Sequence, residues 1–505
     1  MKFFRLRFEM KIFFALLILT TLYKVQANDK PVVSTNYGSV EGLYETSNFG
    51  KKVEIWNSIP YAKPPLKDLR FLPPKPIDNW KGNLDTSEIP KACYQKDDPF
   101  FQTKEWFLNV PVSEDCLYLT VVTPHPRPKN APVLFYIYGG GLNFGSTTLE
   151  LYDFKTFASV TDVIVVAPQY RLGALGFLST EDNEILGNAG LRDQNFALKW
   201  VNENIANFGG DPSKITLMGE SAGSASVGYH LMSPMSRPLF SQAIMQSGVP
   251  TNFWAHQEKR KTSLNTFKLA NNVGCTDHKN NISLAIDCLR KADAAEIADK
   301  CFNYGGDFLT FSATVDGEFI FESPQQFIKN SNNKIDKNIL IGTTKDEGIL
   351  PLFMSLPDLF PVDKPRPKIT NSVYNSAVKE LFKLYPESLI ELINYEYANW
   401  NDLDDDMANA HTLNDMLSDS WFTCDMGEMI DFFALNTNKK VYRYIFSHGV
   451  SRIHFPDWVG ALHGDELYFI FGQAFNPDFR LKLDEDEMVL TRQLMTYYAN
   501  YIKTG

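Results

Sequence analysis

The chain has 505 residues, of which 44% are hydrophobic, and a formal net charge of −11. This length and hydrophobicity allow a large buried core, and the acidic balance argues against a nucleic-acid partner while favouring plain solubility or attraction of a cationic ligand. No Gly/Ser linker, repeat or low-complexity block divides the sequence, so we expect one large domain with long insertions over residues 28–505.

Residues 1–27 have the pattern of a secretion signal. Lys and Arg residues lie within the first eleven positions, an apolar run extends from Ile12 to Leu22, and Val25-Gln26-Ala27 resembles a small-residue cleavage site. The run is too short to span a bilayer comfortably, and no other stretch is long and apolar enough to do so. The sequence therefore predicts a secreted, extracellular protein without a transmembrane segment.

Six cysteines fit an oxidising compartment, and their spacing lacks the Cys/His clusters that are typical of metal sites. Cys93 and Cys116, and likewise Cys275 and Cys288, are close enough in sequence to close short loops, whereas spacing leaves the state of Cys301 and Cys424 open. The sequon Asn281-Ile282-Ser283 predicts a glycosylated surface position.

Apolar runs alternate with helical patterns along the chain. Residues 31–130 contain short β-like runs between Pro-rich turns, and 255–310 and 350–435 are largely helical in pattern. Strands are predicted at 133–138, 163–167, 215–218, 243–246, 339–341 and 441–446, and helices at 194–207 and from 222 to about 232. This alternation indicates an α/β fold with a mostly parallel sheet and helical insertions.

The pentapeptide Gly219-Glu220-Ser221-Ala222-Gly223 lies between a predicted strand and a predicted helix. A Gly-x-Ser-x-Gly in this context is typical of a nucleophile elbow, in which a strained turn lifts the serine hydroxyl into a cleft. The alternative is an ordinary glycine-rich turn.

A serine nucleophile needs a base and a carboxylate that orients the base, and in this fold class the chain order is Ser, Asp/Glu, His. His463, in a short loop before Gly464, is the favoured base, with His448 and His454 behind it, whereas His230 is expected to pack. Asp346 and Glu347 both follow a predicted strand, and chemistry alone does not separate them or exclude a solvated turn.

Three glycines, Gly139, Gly140 and Gly141, follow the strand predicted at 133–138. Backbone N–H groups approach a substrate oxygen most closely where no Cβ intervenes, so Gly140, Gly141 and Ala222 are candidate oxyanion donors. The alternative is a strand-end turn.

Several motifs resemble the type-B carboxylesterase/cholinesterase family from about Val32 to the last residue. They are Phe208-Gly-Gly-Asp-Pro212, Gly219–Gly223, Ser113-Glu-Asp-Cys-Leu-Tyr-Leu119, Gly342-Thr-Thr-Lys-Asp-Glu-Gly348 and His463-Gly464. The resemblance implies an α/β-hydrolase fold and an ester hydrolase that needs no cofactor or metal. It also implies a Ser221, Glu347 and His463 triad, an oxyanion hole of Gly140, Gly141 and Ala222, and disulfides Cys93–Cys116 and Cys275–Cys288.

Within that family the chain leans toward the cholinesterases, because Trp106, Glu220 and Trp254 match positions that bind the choline ester there. Trp106 could instead pack beneath a disulfide loop. Leu142-Asn143, Ile349-Leu350 and Asp465 replace aromatic positions of the cholinesterases, and Asp307–Phe311 matches the acyl-pocket stretch only loosely.

Three interpretations follow for the partner and the reaction. The leading one is an esterase for a small ester, with a cationic choline ester as one option; the others are a general carboxylesterase and a non-catalytic adhesion protein of the neuroligin type. The oligomeric state is not predicted.

Relatives in this family continue for tens of residues beyond a helix like that at 497–505, and they carry the partner of Cys424 there. We therefore expect a truncated C-terminus, or Cys424 unpaired or joined to Cys301.

Overall fold

The structure is a computed structural model that describes residues 30–96, 106, 108–277, 281–301, 310–362, 368–451, 457–479 and 481–505. The predicted signal segment 1–27 lies outside these residues. So do His278, His454 and positions 307–309 of the proposed acyl-pocket stretch.

A nine-stranded sheet forms the centre of the fold, in the order β14-β13-β12-β11-β9-β10-β8-β4-β3. The strands from β14 to β10 are parallel, and β8, β4 and β3 add an antiparallel edge. The strands are β1 Val32–Ser34, β2 Ser39–Glu41, β3 Leu43–Thr46, β4 Lys52–Pro60, β5 Asn83–Asp85, β6 Ala92–Cys93, β7 Val112–Ser113, β8 Tyr118–Pro124, β9 Ala131–Ile137, β10 Ile164–Pro168, β11 Gly210–Glu220, β12 Gln242–Gln246, β13 Asn338–Thr344 and β14 Val441–Phe446.

Helices flank this sheet, with α3 and α4 packed against β11 and α15 against β9. The helices are α1 Phe154–Thr161, α2 Gly173–Phe177, α3 Ala189–Asn204, α4 Ala222–Met232, α5 Lys259–Asn272, α6 Ile282–Lys291, α7 Ala294–Lys300, α8 Pro324–Lys329, α9 Ile349–Ser355, α10 Asn371–Leu381, α11 Glu387–Tyr397, α12 Asp406–Ser418, α13 Cys424–Asn436, α14 Glu466–Ile470 and α15 Glu485–Thr504. A short π-helix, Asp419–Thr423, joins α12 to α13. Among the described residues, no helix is long and apolar enough to cross a membrane.

The α/β fold class predicted from the sequence is confirmed. Strand β14 and helix α4 begin and end where the pattern places them. The helix predicted at 194–207 instead runs from Ala189 to Asn204 and continues as a 3₁₀ turn to Phe208. Its first five residues were missed because this part of the helix buries polar side chains: Asp193 accepts hydrogen bonds from Arg171 across the interior, so the helix start lacks an apolar stripe.

The sheet places the candidate site residues at one edge. Gly139 lies two residues beyond β9, Ser221 directly follows β11, and Glu347 lies three residues beyond β13. These strands run parallel with β12 between β11 and β13, so their carboxyl ends meet at the same edge, where open α/β sheets bind their ligands.

Candidate active site

The backbone at Ser221 has φ of +56° and ψ of −124°, a conformation that costs a non-glycine residue about 1–3 kcal/mol. Close packing explains the flanking glycines. A Cβ atom at Gly219 would lie 2.3 Å from the carbonyl of Gly223, and one at Gly223 would lie 2.1 Å from the carbonyl oxygen of Ile137. The Ser221 N–H donates to the Gln246 carbonyl (2.7 Å), which secures the turn against β12. The hydroxyl therefore sits on a strained turn where β11 meets α4.

The buried imidazole of His463 is paired with a carboxylate. Its Nδ1 lies 2.5 Å from Oε2 of Glu347, and the other Glu347 oxygen accepts from the Thr344 N–H (2.8 Å). In the neutral imidazole, this contact holds the proton on Nδ1 and leaves Nε2 as the base.

Asp346 has a different surrounding from Glu347. Its carboxylate accepts hydrogen bonds from the Ala461 N–H (2.9 Å) and from the Asn414 side chain (3.2 Å). Asp346 thus supports the loop that carries His463, whereas Glu347 contacts the imidazole itself.

None of the other described histidines is both buried and paired with a carboxylate. His230 is buried on α4 between Ser236 and Gln194, and burial lowers its pKa to about 3. His448 contacts Glu487 (3.1 Å), but its side chain is 43% exposed.

The side chain of Glu220, in the elbow, reaches His463. A Cβ atom at Gly139 would fall 2.6 Å from Glu220 Oε2 and 3.0 Å from the Ser221 Cβ. On the other side, Glu220 Oε1 lies 3.1 Å from Nε2 of His463. The two atoms are not aligned as a hydrogen bond, and neither has a hydrogen-bond partner in the described part of the chain. The contact is therefore electrostatic, and Nε2 remains available.

Burial and charge shift the pKa values of this cluster. Burial raises the pKa of the Glu220 carboxyl to about 7, against the opposing effect of His463. Burial alone would lower the pKa of His463, but the carboxylates of Glu220 and Glu347 outweigh it and raise it to about 9. Glu466 is also buried here, and burial together with Glu220 and Glu347 raises its pKa to about 8.

Sequence reasoning missed Glu466 and Phe422. Glu466 accepts a hydrogen bond from Gln246, and its burial was signalled only by the apolar run Leu467–Phe471 that follows it. The Phe422 ring lies 4.6 Å from the His463 ring, and it is positioned by the π-helix, for which the sequence carries no periodic signal.

The glycine loop after β9 adopts left-handed backbone conformations. Gly140 has φ of +107° and Gly141 has φ of +60°. In the described part of the chain, no group accepts a hydrogen bond from the backbone N–H of Gly140, Gly141 or Ala222, the first residue of α4. The three candidate donors are thus uncommitted.

Trp106 and Glu220 both lie next to Gly464, the residue that follows His463. A Cβ atom at Gly464 would lie 3.2 Å from the Trp106 indole and 3.4 Å from Glu220 Oε1. Trp254 is buried, and its Nε1 donates to the Trp421 carbonyl (2.9 Å), so packing already occupies its polar edge.

The positions that depart from the cholinesterase pattern are mostly buried. Leu142, Asn143, Ile349 and Asp465 are each less than 5% exposed. Asp465 accepts a hydrogen bond from the Leu462 N–H (2.8 Å), so it braces the histidine loop.

The structure contains the Cys93–Cys116 and Cys275–Cys288 disulfides, and Cys301 and Cys424 are free thiols.

Asn281 is exposed and caps α6 through its side-chain oxygen, which leaves the amide nitrogen of the sequon at the surface. Among the described residues, no group of three or more His, Cys, Asp or Glu side chains could hold a metal ion.

Comparison with known proteins identifies the family. A family model described as "Carboxylesterase family" matches residues 29–505. The chain is 38% identical to an acetylcholinesterase of Bungarus fasciatus over 482 residues, covering 94% of this chain and 78% of the relative. It is 37% identical to a cholinesterase of Mus musculus over 499 residues (97% and 81%) and 34% identical to an acetylcholinesterase of Leptinotarsa decemlineata over 504 residues (94% and 79%). The chain therefore belongs to the carboxylesterase family, has its α/β-hydrolase fold, and is a carboxylic ester hydrolase.

Proposed function

We propose that this chain is a secreted cholinesterase-type serine esterase that cleaves choline or related esters through an acyl-enzyme. The observation that carries the catalytic part is the contact between Glu347 and His463 beside the strained turn at Ser221. The observation that carries the proposed choline preference is that Trp106 and Glu220 both lie next to Gly464.

In the first half of the reaction, Nε2 of His463 takes the proton from Ser221 Oγ as that oxygen attacks the ester carbonyl carbon. The carbonyl electron pair moves to oxygen, and the N–H groups of Gly140, Gly141 and Ala222 stabilise the resulting oxyanion. Collapse breaks the bond to the leaving alcohol, which receives the proton from Nε2. Glu347 stabilises the imidazolium throughout.

In the second half, His463 removes a proton from water as the water oxygen attacks the acyl carbon on Ser221. The second tetrahedral intermediate collapses with release of the acid, and the proton returns to Ser221 Oγ. Apart from the ester and the water, every group named in this cycle belongs to the chain itself.

A cationic leaving group is favoured by the indole of Trp106 and the carboxylate of Glu220. A cation over a tryptophan ring gains about 0.5–2 kcal/mol, depending on how far it is desolvated. Leu142 and Ile349 are buried aliphatic side chains at positions where cholinesterases have aromatic ones. A cation would therefore find fewer aromatic contacts here, which favours only a modest preference for choline esters.

The general-carboxylesterase interpretation is the second candidate, and the aliphatic side chains of Leu142 and Ile349 favour it.

Secretion is supported by the charged, apolar and small-residue pattern of residues 1–27 and by the two disulfides. Expression in a eukaryotic secretory host should give a protein in the medium that begins near Asn28.

The test is organophosphate labelling with turnover measurements. The wild-type protein should take up one organophosphoryl group at Ser221 and hydrolyse a simple aryl ester, and Ser221→Ala should abolish both. The ratio of kcat/KM on acetylthiocholine to that on a neutral thioester of equal size then separates the two candidates. A ratio of about one supports the general carboxylesterase, and folded protein with neither label nor turnover refutes the catalytic proposal.

A further inference from the structure

We propose that Asn143 is a positioning residue for the oxyanion hole: its side-chain amide holds the glycine loop in the conformation that presents the Gly141 N–H to the substrate. The inference rests on the proposed function, because it assigns Asn143 a part in the same hole.

The loop needs external support to keep its shape. Gly140, Gly141 and Leu142 all have positive φ, and Leu142, at +61°, is not a glycine. A left-handed conformation costs such a residue about 1–2 kcal/mol. Without tethers from its surroundings, the loop would relax toward ordinary backbone angles and the N–H groups would turn with it.

The tethers converge on Asn143. Its backbone N–H donates to the Gly140 carbonyl (3.0 Å), and its side-chain Nδ2 donates to the Gly141 carbonyl (2.7 Å). The next carbonyl, that of Leu142, accepts from the Gly173 N–H (2.8 Å). Asn143 thus contacts the carbonyls of both donor glycines, and the Phe144 N–H also donates to the Gly140 carbonyl (2.9 Å). The Gly141 carbonyl is held by the Asn143 side chain.

Peptide planarity connects these tethers to the oxyanion donors. In a trans peptide the N–H points away from the C=O of the same unit, so fixing the Gly140 carbonyl fixes the direction of the Gly141 N–H. The Gly141 carbonyl belongs to the following peptide unit. When both units are held, φ and ψ of Gly141 are set, and the Asn143 side chain supplies the second restraint.

Packing alone does not account for an asparagine here. Asn143 is 4% exposed, and its Oδ1 has no hydrogen-bond partner among the described residues. A leucine has the same branched outline as asparagine but no donor, so it could not make the 2.7 Å bond from Nδ2 to the Gly141 carbonyl. The asparagine therefore supplies a restraint on the loop that an apolar side chain would not.

The experiment compares Asn143→Leu with the wild type on a neutral aryl ester. We expect kcat to fall about 10- to 100-fold with KM within about twofold, since a small misplacement of an oxyanion donor acts on the transition state. The affinity for a neutral alkyl trifluoromethyl ketone should fall by the same factor. Ser221 adds to that ketone, and its oxygen then occupies the hole as an anion. The affinity for the parent methyl ketone should not change.

Asn409→Leu is the matched control, because the Asn409 side chain is equally buried and donates to the backbone carbonyls of Ile369 and Leu403, away from the site. It should lower Tm and leave the affinity for the trifluoromethyl ketone unchanged. If Asn143→Leu does not fold, Asn143→Ala is measured in the same way, because the ratio of the two ketone affinities is internal to each variant.

The inference is overturned if a folded Asn143 variant binds the trifluoromethyl ketone as the wild type does, or if both ketones weaken equally. Failure of the proposed function has a different signature. The wild-type protein itself would then neither hydrolyse the ester nor bind the trifluoromethyl ketone more tightly than the parent ketone.

Discussion

Oε1 of Glu220 lies 3.1 Å from Nε2 of His463, the nitrogen that faces away from Glu347. The imidazole therefore has a carboxylate beside each of its nitrogens, and both stabilise its protonated form. A stabilised imidazolium favours the charge-separated transition state, and it also makes the resting imidazolium harder to deprotonate to the free base. The pH dependence of hydrolysis measures that second effect.

We expect Glu220→Gln to move the acid limb of kcat/KM for a neutral ester to lower pH. His463 must be neutral to act as a base, so activity rises as pH passes through its pKa. In the wild type the two carboxylates raise that pKa to about 9, and removing the Glu220 charge lowers it. Because Glu220 and His463 titrate together, the limb belongs to the pair. The profile is measured with a neutral ester so that cation binding does not contribute.

Glu466→Gln is the control for that shift. Glu466 also raises the pKa of His463, but less than Glu220 and Glu347 do. Its removal should move the acid limb in the same direction by a smaller amount. A shift to higher pH in Glu220→Gln, or no shift, would contradict the proposed coupling.

The neighbouring carboxylates Asp346 and Glu347 should separate cleanly by mutation. Glu347→Gln should lower kcat about 10⁴-fold, as when the orienting carboxylate of such a triad is replaced by its amide, with little change in Tm. Asp346→Asn weakens the bonds to Ala461 and Asn414, so it should cost about 1 kcal/mol of stability and change kcat much less. Comparable kcat losses in both variants would argue against Glu347 as the orienting group.

The adjacency of Asp346 and Glu347 also illustrates the limit of local patterns. The elbow at Ser221 and the glycines after β9 are recognisable because each depends on residues that are contiguous in sequence. Which of two consecutive acids reaches His463 depends on how the loop before α9 turns. The resemblance to the family suggested Glu347, and the structure brings Glu347 to the imidazole.

The remaining gaps have the same origin in tertiary packing. The start of α3 was missed because its buried Asp193 meets Arg171 from a distant segment. Phe422 reaches the His463 ring through a π-helix, and Asn143 turns its side chain back onto its own loop. These contacts are set by long-range packing or by irregular backbone, so apolar periodicity carries no signal for them.

The Cys275–Cys288 disulfide should contribute to stability and not to chemistry. It links Cys275, just after α5, to Cys288 within α6 across a sequence separation of 13, and neither cysteine belongs to the candidate active site. Replacing both cysteines by serine should lower the free energy of unfolding by about 2–4 kcal/mol and leave kcat at moderate temperature unchanged. Peptide mapping without reduction should recover this pair and Cys93–Cys116 as linked peptides. Free thiols at Cys93 or Cys275 in the secreted protein would refute the pairing.

The choline preference is expected to depend on Trp106. Its indole approaches Gly464, the residue after His463, from a half-buried position, and Glu220 reaches the same point with a carboxylate. The ammonium of a choline ester placed there would stack on the ring and be attracted by the carboxylate. A neutral ester of the same size would gain neither interaction.

Trp106→Ala should therefore reduce kcat/KM for acetylthiocholine by about 10-fold or less, because one cation–π contact contributes about 1–2 kcal/mol. The value for the neutral thioester should stay nearly constant. Trp80→Ala is the matched control: Trp80 is also half-buried, and its Nε1 donates to the Ser39 carbonyl on the small sheet of β1, β2 and β5. This control should lower stability without changing the ratio of the two substrates. Equal losses on both thioesters in Trp106→Ala would instead make Trp106 a packing residue beneath the Cys93–Cys116 loop, and the general-carboxylesterase interpretation would then be preferred.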